Sequence, residues 1–278
     1  MISASRRTDL ITFFPDWLAG VLKKEKALVF GPSGRVFAVD LKPDVVHTIV
    51  LWSKDFSNLI NNSGGLRDAL QKYSQLYIHF TITGLGGSFI EKVVPFPASA
   101  LAQLPDLVAI AGSPRRVSLR FDPVVFWSEG GKTVSNLDFF GTLAEEAAHV
   151  GIKDIRMSFT QWYGKALRRA RTHDFRYLDP GQDEKLEAAR SLAKTAAQWK
   201  LRLFSCSQNF LTKVPGIQAS ACIDGELLRG LHPRREPASS AKDRSQRAEC
   251  GCTESIDIGS YTQSCPHCCL YCYANSKI

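Results

Sequence analysis

The chain has 278 residues, 44% of them hydrophobic and 22% charged, enough for one sizeable core and too mixed for a disordered or fibrous protein. Its formal charge of +8, from 35 basic against 27 acidic residues, favours anionic partners by long-range attraction but specifies neither a fold nor a nucleic-acid site. No apolar run approaches the roughly 18 residues of a membrane span, and residues 1–9 carry charges with no preceding apolar stretch, so the expectation is a cytoplasmic protein with no membrane partner.

Residues 2–5 are a short apolar stretch ending in Arg6, Arg7, Thr8 and Asp9, the pattern of a buried strand that delivers polar groups to a rim. A helix follows, with Pro15 in its first turn and Trp17, Leu18, Val21 and Leu22 on one face. Residues 27–30 and 36–39 flank Gly31-Pro32-Ser33-Gly34, which reads as a hairpin. Beyond Pro43, strands are expected at 48–52, 76–83, 116–121, 154–159, 201–205 and 255–259, and helices at 66–73, 98–111, 137–150 and 184–199. Gly112 and Gly151 stand where helix C-terminal caps belong, and Ser135 where an N-cap belongs. Strands alternating with helices give a parallel sheet covered by helices. With about seven strands the chain falls in the α/β class as a (β/α) TIM-like partial or full barrel. The whole of 1–278 reads as one barrel-like domain, in which 232–278 is a basic loop followed by a cysteine-rich segment. The part 232–247 reads as a solvated connection.

Half of the eight cysteines lie within residues 265–272, which suits metal ligation in a reducing compartment better than a disulfide framework. Cys265, Cys269 and Cys272 form a C-x3-C-x2-C run, a spacing that wraps three thiolates around three corners of a cubane cluster. Structural zinc sites favour paired knuckles separated by a longer loop. Cys268 is surplus to the run, and His267 reads as a neighbour of the site rather than a ligand. Cys250 and Cys252 make a C-x-C pair that, with Cys206 and Cys222, forms a second candidate group; for the last two, burial as small core residues is an equal alternative. In a barrel, Arg6, Arg7, Asp9, Lys54, Thr83, Arg120, Asp122, Gln161 and Gln208 converge on the rim where active sites lie. Arg120 and Asp122 share a strand face and are placed to pair, and Arg6 to meet a carboxylate or phosphate. The basic run Lys165, Arg168, Arg169, Arg171 and Arg176 reads as a solvated helix face.

The terminal run, with Tyr271 directly before Cys272, resembles the C-x3-C-x-aromatic-C signature of radical S-adenosylmethionine enzymes. The resemblance implies a 4Fe-4S cluster on Cys265, Cys269 and Cys272, with S-adenosylmethionine on the open iron beside Tyr271 and Tyr273. It implies a cellular reductant such as flavodoxin or ferredoxin, and a 5'-deoxyadenosyl radical that abstracts hydrogen from substrate. In that superfamily the loop usually follows the first barrel strand, whereas here it follows the last. Residues 2–9, 80–84, 120–123, 222–224 and 250–252 together with the terminal run resemble the bacterial domain-of-unknown-function family 1848, whose cysteine cluster is C-terminal. Arg6, Asp9, Lys54, Arg120 and Asp122 are the expected catalytic groups, and the second cysteine group would take a second iron-sulfur cluster or zinc. Two other readings stand beside this one: an iron-sulfur electron carrier or sensor that binds no S-adenosylmethionine, and a zinc-stabilised nucleic-acid-binding module. The Cys-Tyr-Ala ending is similar to the spore photoproduct lyase branch, which acts on DNA, an analogy alone.

Overall fold

The computed structural model describes residues 1–31 and 34–274. The first strand, β1 (Ile2–Ala4), leads into α1 (Leu10–Phe13) and α2 (Pro15–Lys23), and a hairpin of β2 (Lys26–Phe30) and β3 (Val36–Asp40) follows. Next come β4 (Ile49–Ser53), α3 (Ser57–Ile60), α4 (Leu66–Leu70), β5 (Leu76–Thr81), α5 (Pro97–Leu101) and α6 (Leu104–Ala111). The middle of the chain forms β6 (Val117–Val124), β7 (Phe126–Glu129), β8 (Lys132–Ser135), α7 (Phe139–His149), β9 (Asp154–Phe159), α8 (Gly164–Thr172) and β10 (Tyr177–Leu178). The last elements are α9 (Gln182–Gln198), β11 (Arg202–Ser205), β12 (Ile217–Ala219), α10 (Gly225–Leu231) and β13 (Ile256–Asp257). Among the described residues no helix is long and apolar enough to cross a membrane.

Eight strands build one sheet in the order β12-β11-β9-β6-β5-β4-β1-β13, with every neighbouring pair parallel. Sequential strands are neighbours and the last strand returns to the free side of the first, the order found in (β/α) barrels. Among the described residues, however, no ladder joins β12 to β13. The sheet is open, which corrects the expectation of a full barrel. The two edge strands have three and two residues, too few to extend to each other, and much of the chain between them is irregular.

Parallel strands covered on both faces read as near-continuous apolar runs, as in β5, where Leu76 to Phe80 are all buried. Outward residues such as Ile49, Leu51, Ile78, Phe80, Leu119 and Ile155 pack with the helices into the largest core cluster. The alternate residues face the other way, and that concave side is polar. Trp52 stacks on His79 at 4.2 Å and donates to Ser3 Oγ at 3.1 Å, with the Arg120 guanidinium 5.3 Å over the indole. Segment 220–253 packs against this side: Val50 and Tyr77 cluster with Ile223, Leu228, Leu231 and four cysteines. Buried strand donors meet its carbonyls, His79 Nε2–H to Cys222 O at 2.7 Å and Arg156 Nη2 to Ala221 O at 3.2 Å.

Several local expectations shift. The helix expected over 98–111 divides into α5 and α6 at Ala102 and Gln103, and Ser135 closes β8 while Asp138 caps α7. Gly112 and Gly151 take the left-handed conformation (φ 73° and 78°) that ends a helix, as expected. The hairpin strands pair antiparallel; Pro32 and Ser33 of its expected turn lie outside the described residues. β12 and the small sheet β10-β7-β8 were not anticipated. The stretch 232–247, expected as solvated, is pinned: His232 is buried against His47 at 4.5 Å, and Asp243 is buried against Arg6 at 3.3 Å.

The last strand is held by one carboxylate. Asp257 accepts from Ser3 Oγ (2.9 Å), Ser5 Oγ (2.7 Å), Arg6 N (2.8 Å) and Gly259 N (3.0 Å). Gly259 follows because a Cβ there would lie 2.0 Å from Ser5 Oγ and 2.7 Å from Ser5 Cβ. Asp257→Ala leaves four donors without this acceptor, and is expected to cost about 3–5 kcal/mol in denaturant unfolding. Ser3→Ala removes one donor and is expected to cost about 1 kcal/mol; equal small losses would contradict the role of Asp257 as the anchor.

Candidate functional site

Ligands in open parallel sheets bind beyond the carboxyl ends of the strands, and there the chain encloses a cavity of about 280 Å³. Arg6 follows β1, Lys54 follows β4, and Arg120 and Asp122 stand on β6; all four line it. Gln161, Gln208, Tyr163, Gln246 and Arg247 add polar walls, with Arg247 Nη1 donating to Gln161 Oε1 at 2.8 Å. Cys272, Tyr271 and Tyr273 of the terminal loop open onto the same space, as do Cys206, Cys222, Cys250 and Cys252. Cys272 of the terminal group and all four cysteines of the second group thus line one cavity.

The terminal loop is fixed at several points. Thr8 Oγ1 donates to Ser264 O at 3.2 Å, His267 Nε2 to Asp9 Oδ2 at 3.0 Å, and Leu270 N to Ile90 O at 3.1 Å. Arg169, expected on a solvated face, instead reaches from α8 to Cys269 O at 2.5 Å and Cys272 O at 2.9 Å. Ala166 and Ala170 are the buried residues of that helix, and Ala170 packs in one apolar cluster with Cys269, Leu270 and Tyr271, which brings the neighbouring Arg169 to the loop. Cys272 Sγ accepts the backbone N–H of Ala274 at 3.3 Å. Cys268 sits in the left-handed region at φ 51°, its Sγ 3.9 Å from Cys265 O, and it does not line the cavity.

Beside the loop lies Glu91, fully buried, which the sequence reading missed. It accepts from Lys54 Nζ at 2.8 Å, from Thr83 Oγ1 at 2.8 Å and from the Tyr271 hydroxyl. Burial opposes the Lys54 ammonium, but Glu91 and the side chains of Cys269 and Cys272 hold its pKa above the ordinary lysine value. Burial, then Glu91, pushes the Tyr271 phenol well above its usual range. Burial raises Cys265 to about 12, with the Asp9 carboxylate adding to the shift, and raises Cys269 and Cys272 as well. The loop therefore holds neutral thiols, which ligation to a metal must deprotonate.

The second group has alternating character. Hydrogen bonds from Cys206 and Cys252 hold the Cys222 thiol well below the usual range, and the Cys252 hydrogen bond lowers Cys250 to about 6. Cys206 and Cys252, as the donors, are pushed up. Arg120 Nη1 donates to Cys222 Sγ at 2.9 Å and Arg120 also pairs with Asp122, as the strand spacing anticipated. Among the described residues no three His, Cys, Asp or Glu side chains stand preset around one metal position.

The remaining site residues divide. Arg6 is engaged by Asp243 at 3.3 Å and by Ser255 Oγ at 2.9 Å, and its Nη1 has no hydrogen-bond partner among the described residues. Asp9 does not line the cavity; it caps α1 through Thr12 N at 3.0 Å and accepts from Lys54 N and Ser53 Oγ, so it positions the rim. Arg7 turns to Gly259 O at 2.8 Å. Glu91 had one legible signal, a lone carboxylate inside the apolar run Phe89-Ile90-Glu91-Lys92-Val93-Val94. Arg169 had none, being one of several arginines.

The family model described as Domain of unknown function (DUF1848) matches residues 1–274, and the chain belongs to that family. A search of curated proteins finds no match.

Removing the Arg169 clamp tests this geometry. Arg169→Ala is expected to raise amide exchange across 269–274 by about 10- to 100-fold, the loss of about 1.5–3 kcal/mol of charge-assisted hydrogen bonding. Exchange in β5 should not change. Unaltered protection of 269–274 would show that the loop is held elsewhere.

Proposed function

Starting from the chain's place in this family, we propose that it is an iron-sulfur enzyme of the radical S-adenosylmethionine type. Cys265, Cys269 and Cys272 hold a 4Fe-4S cluster, and the (β/α) sheet acts as an open barrel whose mouth receives the substrate. The observation that carries the reading is the shared cavity: the loop that holds the three cysteines brings Tyr271, Cys272 and Tyr273 onto the rim that presents Arg6, Lys54, Arg120 and Asp122.

The fit to the cluster rests on the donor set. Three thiols lie in one short loop, and the Ala274 N–H already donates to the sulfur of Cys272, a contact that stabilises a thiolate once metal is bound. Lys54 and Arg169 supply positive charge beside a cluster that carries negative charge. When bound, the cluster and S-adenosylmethionine would supply one-electron cleavage of the sulfonium, with an electron from flavodoxin or ferredoxin, and through it hydrogen abstraction from substrate. The chain's own work is positional. Glu91 fixes Lys54 and Tyr271 against the loop, the unpartnered Nη1 of Arg6 is a donor available to a carboxylate, and the Arg120–Asp122 pair faces the same space. The apolar cluster of Leu85, Ile90, Val125, Trp127 and Leu270 packs around Cys269 and Tyr271 and excludes water there.

Anaerobic reconstitution tests the proposal. Wild type is expected to bind about four irons per chain and to cleave S-adenosylmethionine on reduction. Cys269→Ala should lose both, and Cys268→Ala neither. A reduced cluster that leaves S-adenosylmethionine intact would favour the electron carrier or sensor. Zinc in the terminal loop, with no colour after reconstitution, would favour the nucleic-acid-binding module.

A further inference from the structure

We propose that Cys206, Cys222, Cys250 and Cys252 bind a single tetrahedral zinc ion, and that this ion staples the open seam of the sheet. The proposal concerns a site separate from the terminal loop and stands whether or not that loop carries a cluster.

The four cysteines occupy the seam. Cys206 follows β11, Cys222 follows β12, and Cys250 and Cys252 precede β13, so together they flank the gap where no ladder runs between β12 and β13 among the described residues. All four are buried within one cluster. Their side chains are brought together: Cys206 Sγ lies 3.7 Å from Cys222 Sγ, and Cys250 and Cys252 pack in the same buried cluster and line the same cavity.

The spacing selects the occupant. A zinc ion with metal-sulfur bonds of about 2.3 Å holds its sulfurs about 3.8 Å apart along each tetrahedral edge. A cubane places each cysteine sulfur on a separate iron, which separates them much further. The Cys206–Cys222 distance matches the single ion. The four sulfurs must still close into a tetrahedron on binding, because among the described residues no three of these groups are preset around one point.

The surroundings suit a tetrathiolate. Arg120 Nη1 donates to Cys222 Sγ at 2.9 Å and Ile223 N to Cys252 Sγ at 3.4 Å, the N–H···S contacts that offset thiolate charge around a metal. Gly251 between the paired cysteines allows the approach, since a Cβ there would lie 2.7 Å from Ser220 O. A bound ion would tie three stretches of otherwise irregular chain to the rim and fix Arg120 at the cavity.

The test uses the full chain with Cys265, Cys269 and Cys272 replaced by Ser, which removes the terminal loop as a competing ligand. Titration with zinc is expected to give one ion per chain and a higher thermal midpoint, and cobalt in its place the spectrum of a tetrahedral four-thiolate site. Adding Cys252→Ser should abolish the four-thiolate spectrum. If the triple variant does not fold, metal analysis of the reconstituted wild type is expected to show one zinc beside the iron. No zinc or cobalt uptake, uptake unaltered by Cys252→Ser, or a second set of about four irons in the wild type would each overturn the proposal.

Discussion

The Asp257 carboxylate is the interaction on which the arrangement depends. Its four donors come from β1, the turn that follows it, and Gly259, so one side chain fastens the C-terminal segment to the N-terminal strand. A buried carboxylate is tolerable only when its lone pairs are satisfied, and here β1 and the turn that follows it supply three of the four donors. β13 has only two residues and no ladder on its far side among the described residues, so its main-chain pairing is slight. With β13 fixed, the chain beyond it must emerge on the carboxyl-end rim.

That placement creates the site. Through Tyr271 the terminal loop meets Glu91, and through it Lys54, on one flank of the cavity, while Arg120 links the same cavity to the four-cysteine group. An ordinary barrel fills its interior with layers of apolar side chains. Here the concave side carries Ser3, Trp52, His79, Arg120 and Arg156, and segment 220–253 supplies the carbonyls and sulfurs that satisfy several of them. Polar strands and irregular segment are therefore interdependent: neither buries its hydrogen-bonding groups without the other.

The strand-helix alternation was legible because parallel strands buried on both faces read as apolar runs, as 76–80 nearly does, and because 154–159 alternates polar with apolar residues at the strand period. The pairing of Arg120 with Asp122 followed from the two-residue period. The open seam was not legible, since β12 is three residues ending in an exposed Gln218 and Ala219, with no apolar run to announce it. Asp9 stands behind the rim and off the cavity wall, a distinction the sequence does not carry, because a polar residue after a strand looks alike whether it faces a ligand or caps the next helix. Arg169 escaped notice because its importance lies in contacts about 100 residues distant along the chain, which no local pattern encodes, and the lone carboxylate of Glu91 gave no sign of its contact with Tyr271 about 180 residues away.

The central claim is that the terminal loop carries iron at the mouth of the sheet. Anomalous diffraction from anaerobically grown crystals, recorded on either side of the iron absorption edge, measures this directly. The account predicts iron bonded to the sulfurs of Cys265, Cys269 and Cys272, with one iron free of protein ligands and facing the cavity beside Lys54 and Tyr271. A loop holding a single ion with four protein ligands, or iron turned away from the cavity into solvent, would contradict it.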